Sequence, residues 1–271
     1  MKLDLIIKTE EHAVDMKTGL ETISGISEAV RCVVEAAMTD KVPSRNTSAN
    51  QFRNNMMETF EGSYGLVFEV SVGDPNMKTR LTKIGNETMG QVIGYFISEA
   101  LYLESPLLTH VAANLVDSIS AETQNKLINK LRRSPLQNAG SVPSTYGYNV
   151  LLRTHTSEIL RRNIITLDQS CKTNLSPRMN PEAINLRVCI TRLNINTGNG
   201  RLLIEGETET VAFGFPSSYK EVRRAAKKRF SENLDYNNGT SSDEWEYIDI
   251  CATSLRLKSG HIVKYLISGF E

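Results

Sequence analysis

The dominant hydrophobic period differs between the two ends of this chain, and that difference constrains the fold more than any other feature. Between Thr22 and Leu131 most apolar residues recur at helical spacing, whereas from Ala183 to Ser268 most alternate. A chain patterned in this way segregates helices from strands, so the expected class is α+β. In the first stretch, Ile23, Ile26, Val30, Val33, Val34 and Ala37 predict a helix over Thr22–Met38 that opens at Ser24-Gly25. Met89, Val92, Ile93, Phe96, Ile97, Ala100 and Leu101 form a second stripe, Ser105-Pro106 reads as the start of a third helix, and Ser120 caps a fourth. Strands enter this half at Leu3–Lys8, with Leu3, Leu5 and Ile7 on one face. A hairpin of Gln51–Thr59 and Tyr64–Val72 flanks Glu61-Gly62-Ser63, and a turn at Gly73-Asp74-Pro75-Asn76 closes it. These helices are expected to pack as antiparallel neighbours on the N-terminal sheet.

The second stretch reads as β-β-β-α-β-β. Leu186, Val188 and Ile190 alternate with polar residues, Asn194–Gly200 turns the chain, and Arg201–Glu205 and Thr210–Phe215 follow as short strands. Ser218 and Glu221 have capping-box spacing and predict a helix from Tyr219 to Leu234, stopped by Asn237-Asn238-Gly239. Glu244–Lys258 and His261–Ser268 are joined at Ser259-Gly260. The strand count suits a small bent sheet or partial barrel. The Pro- and Gly-bearing stretch Ser134–Tyr148 is the expected boundary, giving an α+β domain over 1–149 and a β-rich domain with one basic helix over 150–271. Val150–Ile165 fits neither period, and Ser170–Glu182 reads as a loop.

Charge narrows the function classes. With 31 Lys+Arg against 31 Asp+Glu the chain is not coated in positive charge, so any polyanion contact must be local. Divided at 149, the halves carry −3 and +3. The sharpest imbalance is the predicted helix, where Lys220, Arg223, Arg224, Lys227, Lys228 and Arg229 face the single anion Glu221. Val222, Ala226 and Phe230 give it an inner stripe. The six cations are the candidate nucleic-acid or phosphate-binding residues, the alternative being charge balance within their own domain.

Motifs for chemistry are sparse. There is no GxxxxGK[ST] run, and Gly198-Asn199-Gly200 reads as a hairpin turn. His12, His110, His155 and His261 stand apart in sequence, with His155 in the most polar surroundings and His110 expected to pack within an apolar helix. Glu205, Glu207 and Glu209 would share one face if they lay on a strand and could then hold Mg²⁺, and Asp243, Glu244, Glu246 and Asp249 form a second acidic group. Neither group is followed by the lysine that a nuclease site uses. Cys32, Cys171, Cys189 and Cys251 share no ligand spacing and read as reduced, buried small hydrophobes. No metal and no cofactor is therefore expected. The charged run Met1–Lys8 is no secretory signal, and no apolar stretch is long enough for a membrane span, so the expectation is a cytoplasmic protein without a membrane partner.

Three segments carry a resemblance: Ile23-Ser24-Gly25-Ile26, Gly62-Ser63-Tyr64-Gly65-Leu66-Val67-Phe68-Glu69, and Ser259-Gly260-His261-Ile262-Val263-Lys264-Tyr265. Together they resemble a two-domain family of bacterial proteins that pairs a helix-bearing N-terminal half with a small β-rich C-terminal half. The resemblance covers most of the chain and implies no catalytic residue. Members of this kind are encoded near anti-phage genes, which implies a sensor or accessory subunit of an antiviral defence system. The leading expectation is a non-catalytic binding or assembly protein with a protein partner or a second copy of itself. The rivals are a nucleic-acid-binding module using helix 219–234, and a metal-dependent nuclease or other enzyme with a dispersed site to which His155 or the carboxylates contribute.

Overall fold

β1 (Lys2–Ile7) is the middle strand of an antiparallel sheet ordered β2-β3-β1-β4-β5, with β2 Phe52–Phe60, β3 Tyr64–Val72, β4 Val150–Thr154 and β5 Asn163–Leu167. The computed structural model describes residues 1–10, 13–43, 51–60, 64–155 and 161–270, and the hairpin turn at Glu61-Gly62-Ser63 lies outside them. Leu5 stands opposite Leu66 on one side and Leu152 on the other. Leu3, Leu5 and Ile7 face the helical core, as their alternation requires. Asp4 and Ile6, on the opposite face, are buried too.

The four longer helices of the N-terminal half start where their caps are, and two of those caps differ from the expected ones. α1 spans Met16–Thr39, beginning six residues before Thr22, because the Asp15 carboxylate accepts from Thr18 N–H at 2.9 Å. Gly25 is therefore interior to the helix. A Cβ there would overlap backbone atoms of Ala139 and Pro135 in α5 (Pro135–Ala139), so the crossing of these two helices requires glycine. α2 (Pro75–Leu101) opens directly at Asp74-Pro75, where Asp74 Oδ1 accepts from Met77 N–H at 2.8 Å. Gly85 interrupts α2 at φ 81°, ψ 160°, a conformation open to glycine. α3 (His110–Asp117) is capped by Thr109 rather than by Ser105, since Gln91 Oε1 accepts from both the N–H and the hydroxyl of Thr109. α4 (Ala121–Arg133) starts at Ser120, as expected.

The expected linker over 134–148 is core instead. It forms α5 and α6 (Ser141–Tyr146), whose Leu136, Ala139 and Val142 are fully buried against α1. β4 and β5 then complete the first sheet, so the chain divides after Leu175, beyond the short α7 (Cys171–Asn174), and not at 149. Residues 150–175 carry Arg153, Arg161, Arg162 and Lys172 against Glu158 and Asp168. Assigning them to the N-terminal unit shrinks the charge difference from −3 and +3 to −1 and +1.

The second unit, Ser176–Glu271, is a closed barrel of β6 (Arg178–Leu193), β7 (Gly200–Ile204), β8 (Thr210–Gly214), β9 (Ile248–Arg256) and β10 (Ile262–Phe270). The cyclic order is β10-β8-β7-β6-β9, with β8 and β10 parallel and the other neighbours antiparallel. A helix, α8 (Arg224–Asn237), joins the third strand to the fourth. The expected β-β-β-α-β-β order is observed, and this connectivity is that of an OB-type Greek-key barrel. Its interior holds Val188, Ile190, Leu202, Phe213, Ile250 and Tyr265, with Phe230 of α8 closing one end. Among the described residues no helix is long and apolar enough to cross a membrane.

Candidate functional site

The six predicted cations occupy two elements rather than one continuous helix. Ser218 makes no capping bond, Tyr219–Glu221 form one 3-10 turn, and Val222 and Arg223 are extended before α8 begins. Lys220, Arg223, Arg224 and Lys228 are exposed, and Arg229 is half-buried. None of these five makes an ion pair among the described residues. Lys227 is used differently. Its Nζ lies 4.8 Å from the centre of the Tyr219 ring and donates to Lys220 O at 3.3 Å, which staples the 3-10 turn to the helix.

What holds α8 is neutral. Asn233 Oδ1 accepts from Ile190 N–H and Asn233 Nδ2 donates to Glu246 O, both at 2.8 Å; Asn237 Nδ2 also donates to Glu246 O. Beside Arg223 a groove of about 490 Å³ opens between α8 and the end of β10, walled by Phe215, Val222, Phe230 and Phe270. The rings form a chain: Phe215 to Tyr219 is 5.6 Å, Phe215 to Phe230 is 5.6 Å, and Phe230 to Phe270 is 6.1 Å between centres. Phe270 is 36% exposed, so part of this aromatic wall reaches water. Aromatic faces beside free cations provide the two contacts that an unpaired nucleic-acid strand uses, stacking and phosphate neutralisation.

A second constellation lies in the N-terminal unit. The Asp4 carboxylate is completely buried in mid-strand. His155 Nδ1 lies 2.6 Å from Oδ1, while Arg153 Nη2 and Arg161 Nε each lie 3.4 Å from Oδ2. A carboxylate can only accept, so Nδ1 carries the hydrogen and Nε2 is left for other partners. The His155 backbone is also held: its N–H donates to Lys2 O at 3.1 Å, and its O accepts from Asn86 Nδ2 at 3.2 Å. Asn86 follows the Gly85 break directly, so the interruption of α2 places this donor. Two guanidiniums and an imidazole thus share one negative charge, and Arg153 Nε is buried without a hydrogen-bond partner among the described residues. His155 also lines a cavity of about 630 Å³, with Lys2, Glu69, Lys78, Thr82 and Asn86 among its walls. Among the described residues the recorded partner of the imidazole is the Asp4 carboxylate.

The remaining candidates separate. Glu205, Glu207 and Glu209 lie in the connection between β7 and β8 and not along a strand, and Glu205 pairs with Arg187 at 3.1 Å. Among the described residues no three His, Cys, Asp or Glu side chains group as metal ligands, the Asp243–Asp249 set included. His110 is exposed in the first turn of α3, with Nδ1 3.2 Å from Asn114 Nδ2, rather than packed in a core. His261 is exposed at the β9–β10 turn, and His12 lies outside the described residues. All four cysteines are free thiols. Cys32, Cys171 and Cys189 are buried, and burial pushes the thiol pKa of Cys32 up to about 11 and of Cys171 to about 12, out of the reactive range.

Sequence reasoning had the cations of α8 but missed Asp4, Arg153 and Arg161. Asp4 reads there only as a break in an alternating run, and no local spacing links it to His155, 151 positions away. Compared with known proteins, the chain matches no family model, no curated protein and no solved structure.

Proposed function

We propose that this protein is a non-catalytic binding protein whose C-terminal barrel takes hold of single-stranded nucleic acid along α8. The observation that carries the reading is the juxtaposition of an aromatic groove of about 490 Å³ with five cations that have no anionic partner among the described residues. Arg223 belongs to both, lining the groove while preceding the first turn of α8. Bases stack on Phe215 and Phe270, and phosphates meet Arg223, Arg224, Lys220 and Lys228. Recognition without chemistry is what a sensor or accessory subunit of a bacterial antiviral defence system contributes, and the protein partner or second copy such a subunit needs belongs to the same reading.

The test is fluorescence anisotropy with a labelled oligonucleotide of about 20 nucleotides at increasing salt. With about four phosphates neutralised, affinity falls by roughly 50-fold between about 50 and 200 mM salt. The combined substitutions Arg223→Glu, Arg224→Glu and Lys228→Glu abolish binding while circular dichroism stays unchanged. Phe270→Ala weakens binding without altering the salt slope, because stacking releases no counterions. Binding that survives the triple substitution overturns the proposal. Degradation of the oligonucleotide with Mg²⁺, lost in Glu205→Ala, overturns its non-catalytic part.

A further inference from the structure

We infer that the cavity of about 630 Å³ in the N-terminal unit is a binding site for a small organic phosphate, gripped by Lys2, Lys78 and His155. The cavity lies between the ends of β1, β3 and β4 and the first half of α2, and its size is that of pockets which enclose metabolite-sized ligands. Its walls divide by character. Val70, Val72 and Leu81 supply an apolar side for an organic body, while Ser71, Thr82 and Asn86 supply hydroxyl and amide groups. Lys2 and Lys78 are exposed, and neither makes an ion pair among the described residues.

The sign of the ligand follows from the charges around it. Among the described residues Glu69 is the only carboxylate lining the cavity, and it already pairs with the Met1 ammonium at 3.9 Å, so it offsets neither lysine directly. His155 meets the cavity with Nδ1 already held by Asp4, which leaves Nε2 for a ligand. With a hydrogen on each ring nitrogen, the imidazole donates from Nε2 to an anion and from Nδ1 to Asp4 at once. Arg153 and Arg161 share the same carboxylate, so the ground behind the imidazole is positive. A surplus of cations over one offset carboxylate selects an oxyanion, and the apolar wall selects one that carries an organic group.

This site and the groove on the barrel lie in different units and are tested separately. Calorimetric titration of the full chain uses AMP and ribose 5-phosphate, with adenosine and inorganic phosphate as controls. At least one of the two organic phosphates binds with Kd below about 1 mM, and adenosine does not. Lys2→Ala with Lys78→Ala weakens that binding at least about tenfold; both side chains are exposed, so the fold survives. Glu69→Gln removes the opposing charge and tightens it about threefold. Arg223→Glu with Arg224→Glu and Lys228→Glu leaves it unchanged. The inference is overturned if neither organic phosphate binds at about 5 mM, if the lysine pair is dispensable, or if Glu69→Gln weakens binding. It is equally overturned if inorganic phosphate binds as tightly as both organic ones, or if the α8 substitutions remove AMP binding.

Discussion

The two units handle charge in opposite ways around their candidate sites. In the N-terminal unit a carboxylate sits fully buried in the central strand, with His155, Arg153 and Arg161 converging on it. In the barrel the cations of α8 stay outside, and the buried groups that pin the helix, Asn233 and Asn237, are neutral amides. Buried charges act as a set, because removing one leaves the others unsolvated and uncompensated. Exposed charges act nearly additively and are screened by salt. On the two proposals made above, the first arrangement would serve as a fixed, selective pocket wall and the second as a surface whose affinity is tuned by number.

Four variants break or sharpen this contrast, in falling order of effect. Asp4→Ala strands two guanidiniums and an imidazole, and is expected to cost about 3–5 kcal/mol in urea denaturation. Asn233→Ala frees Ile190 N–H and Glu246 O in a buried place but leaves no charge behind, so about 1–3 kcal/mol is expected. Trp245, the one tryptophan, reports that transition by fluorescence. A loss for Asn233→Ala as large as for Asp4→Ala would erase the distinction.

Asp40 gives a smaller effect, visible in acid. What burial it has lifts its pKa, but hydrogen bonds from the Ser120 N–H and hydroxyl and from Thr123 outweigh that and hold it below 3.8. The folded value lies under the unfolded one, so the stabilisation is complete above about pH 3.8 and is lost as pH falls through the folded pKa. Asp40→Asn keeps a residue that tolerates the left-handed φ of 51° at the end of α1. The stability gap between the parent and this variant therefore closes below that range in an acid titration. Last, Arg224→Ala with Lys228→Ala should change stability by less than about 0.5 kcal/mol, because both are exposed and unpaired.

Legibility in the sequence followed the range of the interactions. The barrel strands are readable where their alternation is local and a turn carries its own Asn or Gly, as at Gly260 with φ 89°. The α4 cap at Ser120 was readable for the same reason. The expected loop Ser170–Glu182 instead holds α7 and the start of β6 at Arg178, which the alternation from Ala183 does not reveal. The division of the chain was not, because β4 belongs to the first sheet only through pairings such as Leu5 with Leu152, and no short window holds both. Ser105 and Ser218 have capping spacing without capping geometry; Gln91 decides the start of α3, and the 3-10 turn before Arg223 decides that of α8. In the same way the cations of α8 were visible as a run, whereas the Asp4 constellation exists only after folding.

The break at Gly85 has a consequence for how the cavity moves. Helical hydrogen bonding does not run continuously through φ 81°, so α2 comprises two cooperative segments. Residues 86–101 are anchored by Met89, Val92, Ile93, Phe96, Ile97 and Leu101, all within the core, while residues 75–84 are anchored by Leu81 with Met77 and Ile84 only partly covered. Amide protons of the shorter segment should therefore exchange with solvent through local opening, at rates set by that segment alone. The wall bearing Lys78 and Thr82 is then expected to open more readily than the wall bearing His155, and on the proposed reading of the cavity a ligand would enter without unfolding the sheet.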